Sequence, residues 1–179
     1  MPYDCVTLGN YIELDCLADK FSYNKVVAIG IIKNPTKDFG LPATYTYADK
    51  AALEADIEVL NKVVGEYDGS ETEVAEAYGA KLEQIVSRKH KATFEVEYNA
   101  KNWDFFNRLA FARNYGIVLI SGNMQELAYS GRVNVTFVVK TPITRELDKV
   151  RNFVVEASWS NMDLLKPVAV PTEQIELFS

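Results

Sequence analysis

The sequence predicts an α+β fold that is mostly β: an antiparallel β-sandwich, or a barrel-like pair of sheets, with one flanking helix. The first observation is that several short segments rich in β-branched and aromatic residues alternate between apolar and polar positions. The second is that one segment, at about 100–114, repeats its apolar residues at helical spacing. We also expect extended arms at both termini.

The length and composition are typical of one globular domain. The chain has 179 residues, of which 48% are hydrophobic and 25% are charged, and this length buries a core without disulfides or metals. We expect a single strand-rich domain at 1–163 and a C-terminal arm at 164–179. No apolar run approaches the ~20 residues that span a bilayer, so we expect no membrane partner.

Four segments have the pattern of strands. Residues 25–33 form a short, β-branched apolar run between turn-forming neighbours, which is typical of a buried strand. Residues 92–98 alternate, with Phe94, Val96 and Tyr98 on one face. Residues 132–140 and 151–159 alternate in the same way, and a proline-bearing connection joins them. The three alternating segments are each predicted to place one apolar face on a core.

The segment at about 100–114 is predicted to be the flanking helix. Asn99 can cap its start, and Gly116 can end it. Three apolar residues share one helical face and are expected to dock the helix onto a sheet: Trp103, Phe106 and Leu109. On this assignment, Trp103→Ala would cost roughly 3–5 kcal/mol. After the helix, residues 117–120 and 127–130 flank a turn and indicate a hairpin.

The stretch 48–88 allows two interpretations. Leu53, Ile57, Leu60 and Val64 fit a second helix at about 49–64, which we take as the prediction. The β-branched residues of the same stretch also fit strands.

The last sixteen residues, 164–179, contain two prolines and have no regular period. An apolar tail without a place in its own core is expected to pack on a neighbour. The expected assembly residues are Ile175, Leu177 and Phe178. Deleting residues 170–179 should then leave the monomer folded and abolish higher assembly.

No segment has the spacing of a catalytic or cofactor motif. The nine glycines form no phosphate-binding loop, and there is no nucleophile elbow. Cys5 and Cys16 belong to no CxxC motif and His90 is the only histidine, which disfavours a metal site or a Cys–His pair. The only basic cluster, 88–91, is short, and a pI of about 4.9 argues against a nucleic-acid clamp. We therefore assign no catalytic, cofactor-binding or metal-binding residue and predict that the protein is not an enzyme.

Charge is unevenly spread along the chain, whose net charge is −6. Nine acidic and two basic residues give residues 54–83 a charge of −7, and eleven basic and six acidic residues give 84–151 a charge of +5. We expect the two segments on different surfaces, meeting across a protomer boundary or lining a lumen. The alternative is that both are solvated faces of one monomer.

Two Asp-Cys pairs, at 4–5 and 15–16, precede the first apolar strand. Later come an alternating strand at 94–98, a helix ending in Leu-Ala-x-x-Arg at 107–113 that runs directly into an apolar strand, and a final strand before a proline-bearing close. This order of segments resembles the tail-tube-like structural proteins of bacteriophages that infect Bacteroidetes. Residues 23–25 and 132–142 replace glycine-rich segments expected in such proteins, which leaves tube, terminator and neck ring open.

The resemblance implies two antiparallel sheets packed at a steep angle, with a helix on their flank. It implies rings of six or more copies, formed by extending a sheet from protomer to protomer and stacked through the arms, because ring closure buries strand edges. The implied partners are copies of the chain and neighbouring virion proteins, with DNA passing only transiently and no cofactor. The implied location is the virion, assembled in the host cytoplasm. A small-molecule-binding β-rich domain and a monomeric interaction module stay open as alternatives.

Overall fold

The computed structural model describes residues 26–33, 36–76, 83–121, 127–131, 134–143 and 151–178. The strands are β1 Val26–Ile32, β2 Ile57–Glu76, β3 Glu83–Glu97, β4 Gly116–Ser121, β5 Leu127–Gly131, β6 Thr136–Lys140, β7 Asn152–Asn161 and β8 Val168–Ala169. The α-helices are α1 Lys50–Asp56 and α2 Trp103–Leu109, and short 3-10 helices lie at Pro42–Tyr45, Ala100–Asn102 and Thr172–Phe178. The predicted class, α+β and mostly β, is confirmed.

The described strands form one antiparallel sheet in the order β6-β7-β3-β2-β1-β4-β5-β8, instead of the two sheets implied by the resemblance. The sheet curls strongly. The Val135 N–H, at the entry to β6, donates to the carbonyl oxygen of Tyr115, at the entry to β4, at 3.0 Å. These two strands lie five positions apart in the sheet order. The curl therefore gives part of the sheet a barrel-like form.

Each face of the sheet carries a core. The first core, under α2, is built from β1, β2, β3, β4, β6 and β7, and the second core lies under α1 and the C-terminal segment. The central strand β1 serves both, with Ile29 and Ile31 in the first core and Ala28 and Ile32 in the second. A strand buried on both faces needs apolar residues without alternation, which explains the continuous apolar run at 25–33.

The helix predicted at 49–64 is corrected to a short helix followed by a strand. Asp49 caps α1 by accepting from the Ala52 N–H at 2.8 Å, and the helix ends at Asp56. From Ile57 the chain pairs with β1, where its β-branched residues suit a half-buried strand. Lys62 has φ 56, beside a register shift. This bulge changes the alternation, so that Val63 is buried in the first core while Val64 is exposed.

The flanking helix is present but shorter than expected. Asn99 accepts from the Lys101 N–H at 3.0 Å, as a cap, and α2 ends at Leu109. Phe106 and Leu109 are buried in the first core, whereas Trp103 is 48% exposed, so the docking role expected for Trp103 is wrong. Side chains of a helix lean towards its N-terminus. Because Trp103 is the first residue of α2, its side chain leans away from Phe106 and Leu109, the helix residues that cover the core, and stays half exposed.

The C-terminal segment packs on its own domain and is not a free arm. β8 pairs with β5, Val168 and Val170 are buried, and Ile175 and Leu177 pack on the second core. Among the other predicted strands, β4 pairs with β5 and β6 with β7. The N-terminal arm, Cys5 and Cys16 lie outside the described residues, and the side chain of Phe178 is not described.

Candidate functional site

The most unusual feature of the structure is the length of its second and third strands. β2 has 20 residues and β3 has 15. Among the described residues, pairing between β1 and β2 extends to Gly65 and pairing between β3 and β7 extends to Arg88, whereas β2 and β3 stay paired as far as Glu76 and Glu83. We call residues 70–76 and 83–87 the hairpin arm. At ~3.3 Å per residue, its longer strand reaches roughly 23 Å beyond Gly69.

The hairpin arm exposes large apolar side chains. Val74 and Ile85, which are cross-strand partners, are 51% and 47% exposed, and Val86 is 50% exposed. None of the described arm residues belongs to either core. A two-stranded ribbon has no second layer to cover it. Within the part of the chain that the structure describes, the arm therefore has exposed apolar side chains and strand edges that pair with no further strand.

The base of the arm is held by a stack of three aromatic rings. The ring planes of His90 and Trp159 lie 9° apart with centroids at 5.4 Å, and Tyr67 stacks beside both. His90 is only 1% exposed, and its burial lowers the pKa of the imidazole, with a smaller contribution from the charge of Arg88. The stack therefore joins β2, β3 and β7 where the arm leaves the sheet.

Opposite charges face each other across the arm's base, which corrects the expectation that they occupy different surfaces. Glu73 of β2 forms an ion pair with Lys89 of β3 and accepts from the Ser87 hydroxyl. These hydrogen bonds, with that of Lys89 the stronger influence, lower the pKa of Glu73. The sign change along the sequence therefore arises partly because an acidic strand and a basic strand are neighbours in one hairpin.

A second exposed apolar surface lies at α2. Trp103 is 48% exposed and Phe111, just after the helix, is 76% exposed. Lys101, Arg108 and Arg113 are exposed around them. We call residues 100–115 the α2 surface.

Two open clefts flank the ring of Phe105, beside the α2 surface. One, of about 510 Å³, lies between α2 and the end of β1 and has Ile31 on its wall. The other, of about 750 Å³, lies towards Val96 and Tyr98. Their rims mix acidic and basic side chains, with Lys33 and Glu58 paired at 2.9 Å.

The described part of the chain contains no group of three or more His, Cys, Asp or Glu side chains placed to hold a metal ion. Within the same ranges, no helix has the length and apolar character needed to cross a membrane.

Sequence reasoning missed the hairpin arm. The sequence does contain one sign of the arm: Val74, Ile85 and Val86 stand among acidic and polar residues. Apolar residues in such surroundings are not expected to reach a core.

Comparison of the sequence with protein-family models found no matching family, and comparison with curated proteins found no match.

Proposed function

We propose that this protein is a virion structural subunit that assembles with copies of itself into the rings or tube of a phage tail or neck, forming a conduit for DNA. The proposal rests on the hairpin arm. Val74, Ile85 and Val86 each expose about half of their surface on a ribbon that stands clear of both cores. A soluble monomer gains nothing from such a ribbon, whereas an assembling subunit uses it to bury apolar area in a neighbour.

Open strand edges also support self-assembly. In the described part of the sheet, β6 pairs only with β7, and the arm's strands pair only with each other beyond Arg88. An unpaired edge presents a row of N–H and C=O groups to any neighbouring strand. Edge-to-edge pairing of identical subunits satisfies these groups and continues one sheet through several copies. The order of segments described above, which resembles tail-tube-like proteins, agrees with this mode of assembly.

The test is the oligomeric state of the purified chain. Mass photometry and negative-stain microscopy across a concentration series should show closed rings or tubes built from the 20.1 kDa chain. The matched variant carries serine at Val74, Ile85 and Val86, and the control is Ile143→Ser, because Ile143 is 83% exposed outside the arm. The arm variant should stay monomeric while the control assembles. A wild-type chain that stays monomeric at every concentration contradicts the proposal.

The clefts beside Phe105 favour one other function, a small-molecule-binding β-rich domain. Their volumes, about 510 and 750 Å³, match those of ordinary ligand sites. A fragment screen by ligand-observed NMR, with Phe105→Ala as the comparison, tests this candidate. The small-molecule-binding function would be favoured over the structural role if the chain stays monomeric, binds a fragment and loses that binding in Phe105→Ala.

A further inference from the structure

We propose that the hairpin arm of one copy docks on the α2 surface of the next, so that the chain assembles head to tail. This inference rests on the proposed self-assembly and adds to it the identity of the two surfaces that meet. Three properties of the two surfaces support it: their positions, their charges and their exposed apolar side chains.

The two surfaces lie at opposite ends of the same strand. β3 begins at Glu83, in the arm, and ends at Glu97, six residues before α2 starts at Trp103. Fifteen residues of strand at ~3.3 Å each separate the ends by roughly 50 Å. The arm therefore cannot reach the α2 surface of its own chain, and only a second copy can bring the two together.

The two surfaces carry opposite charge. Residues 70–87, which contain the arm, have four glutamates and one lysine, a net charge of −3, and the ion pair of Glu73 with Lys89 reduces this to −2. Residues 100–115 have Lys101, Arg108 and Arg113 against Asp104, a net charge of +2. Contact between two arms, or between two α2 surfaces, would bring like charges together. Contact between an arm and an α2 surface joins opposite charges and steers the copies into one orientation.

Both surfaces expose large apolar side chains. The arm exposes Val74, Ile85 and Val86, and the α2 surface exposes Trp103 and Phe111. Trp and Arg are the residue types that most often dominate the binding energy of an interface when they are buried at its centre. The α2 surface provides both types, because Trp103, Arg108 and Arg113 are all exposed there.

Contact between two different surfaces of identical copies is heterologous. In an open complex one arm and one α2 surface stay free at the two ends, so growth continues until the rotation per copy closes a ring, or without end as a filament.

The inference is tested by mixing two variants, each of which is expected to be unable to assemble with itself. The arm variant has serine at Val74, Ile85 and Val86, and the α2 variant has alanine at Trp103 and Phe111. All five side chains are about half or more exposed, so both variants should fold, which circular dichroism and thermal denaturation verify. Each variant alone should be monomeric, with the apparent Kd raised at least about tenfold. Mixed in equal amounts, they should form a heterodimer of about 40 kDa, twice the 20.1 kDa of one chain, and nothing larger.

The possible outcomes separate the inference from the proposed function. If the wild type assembles and the α2 variant assembles equally well, the arm docks elsewhere and the inference is wrong while self-assembly stands. If the wild type assembles and the mixed variants do not dimerise, the arm and the α2 surface are not partners. If the wild type stays monomeric, self-assembly itself is wrong. Heterodimers in the mixture, with Ile143→Ser assembling normally, support the inference.

Discussion

The hydroxyl of Tyr67 lies 2.5 Å from Nδ1 of His90. Burial raises the pKa of Tyr67 to about 12, so the hydroxyl remains protonated and donates to Nδ1 of the neutral imidazole. This hydrogen bond ties β2 to β3 where the hairpin arm leaves the sheet, and it requires His90 to be uncharged.

Stability should therefore fall as the pH drops through the mid-acidic range. The pKa of His90 in the folded chain lies below its ordinary value of 6.5, so the unfolded chain binds a proton first as the pH falls. Between the folded pKa and ~6.5 the free energy of unfolding decreases with falling pH, and above ~6.5 His90 contributes no pH dependence. Thermal denaturation between pH 5 and 8 should show a decline that is smaller in His90→Gln. Since His90 is the only histidine, equal pH dependence in both proteins would contradict the prediction.

Truncating Trp103 and Phe106 should have very different effects on the monomer. Phe106 is 1% exposed and stacks on Phe153 with ring centroids 4.2 Å apart, so Phe106→Ala should cost roughly 3–5 kcal/mol. Trp103→Ala should cost no more than about 1 kcal/mol because its side chain is half exposed. Urea denaturation of the monomeric arm variant carrying each change measures the difference. Equal losses would mean that Trp103 packs on the core after all.

The C-terminal segment should contribute to the stability of its own domain. The Gln174 side chain accepts from the Tyr47 N–H at 2.8 Å, and both groups are buried. Gln174→Ala leaves that N–H without a partner and should cost about 1–3 kcal/mol in chemical denaturation. Glu173→Ala, an exposed neighbour, is the control and should be nearly neutral. Deleting 170–179 should then unfold or strongly destabilise the chain; a deletion protein with unchanged stability would show that the tail is dispensable.

Gly30 should tolerate no side chain. A Cβ placed there would lie 2.5 Å from Cγ2 of Ile57, on the paired strand β2. Gly30→Ala should cost about 1–3 kcal/mol through overpacking. Gly40→Ala is the comparison, since its Cβ would meet only the exposed side chain of Asp38. A double-mutant cycle with Ile57→Ala should show that the two substitutions are less than additive, and strict additivity would exclude the clash.

Assembly should weaken as salt increases. Residues 70–87, with a net charge of −3, and the α2 surface, with +2, attract each other, and salt screens exposed charges beyond ~8 Å at physiological ionic strength. The association rate, followed by light scattering, should fall between low and moderate salt. Arg108→Glu with Arg113→Glu changes the charge of the α2 surface from +2 to −2, so the two surfaces repel each other and the association rate should instead rise with salt. An association rate that does not change with salt concentration would mean that apolar contacts and strand edges alone drive association.

Local sequence patterns were enough to predict the fold class and several elements. Alternation located the strands at 92–98 and 151–159, and the capping chemistry of Asn99 located the start of the helical segment. These features depend on neighbours within a few residues, so the sequence determines them directly. The same patterns identified Phe106 and Leu109 as apolar residues of one helical face.

Tertiary contacts decided the rest. Residues 57–64 fit either a helix or a strand, and pairing with β1 selected the strand, because each strand there satisfies the other's backbone groups. Trp103 and Phe106 share a helical face, yet the extent of the sheet under α2 buried one and exposed the other. The residues of the C-terminal segment have no period of their own, and only the second core gave Val170 and Leu177 a place to pack. The hairpin arm exists because β2 and β3 extend beyond the strands beside them. How far one strand extends beyond another depends on the assembled sheet, and no short stretch of sequence encodes it.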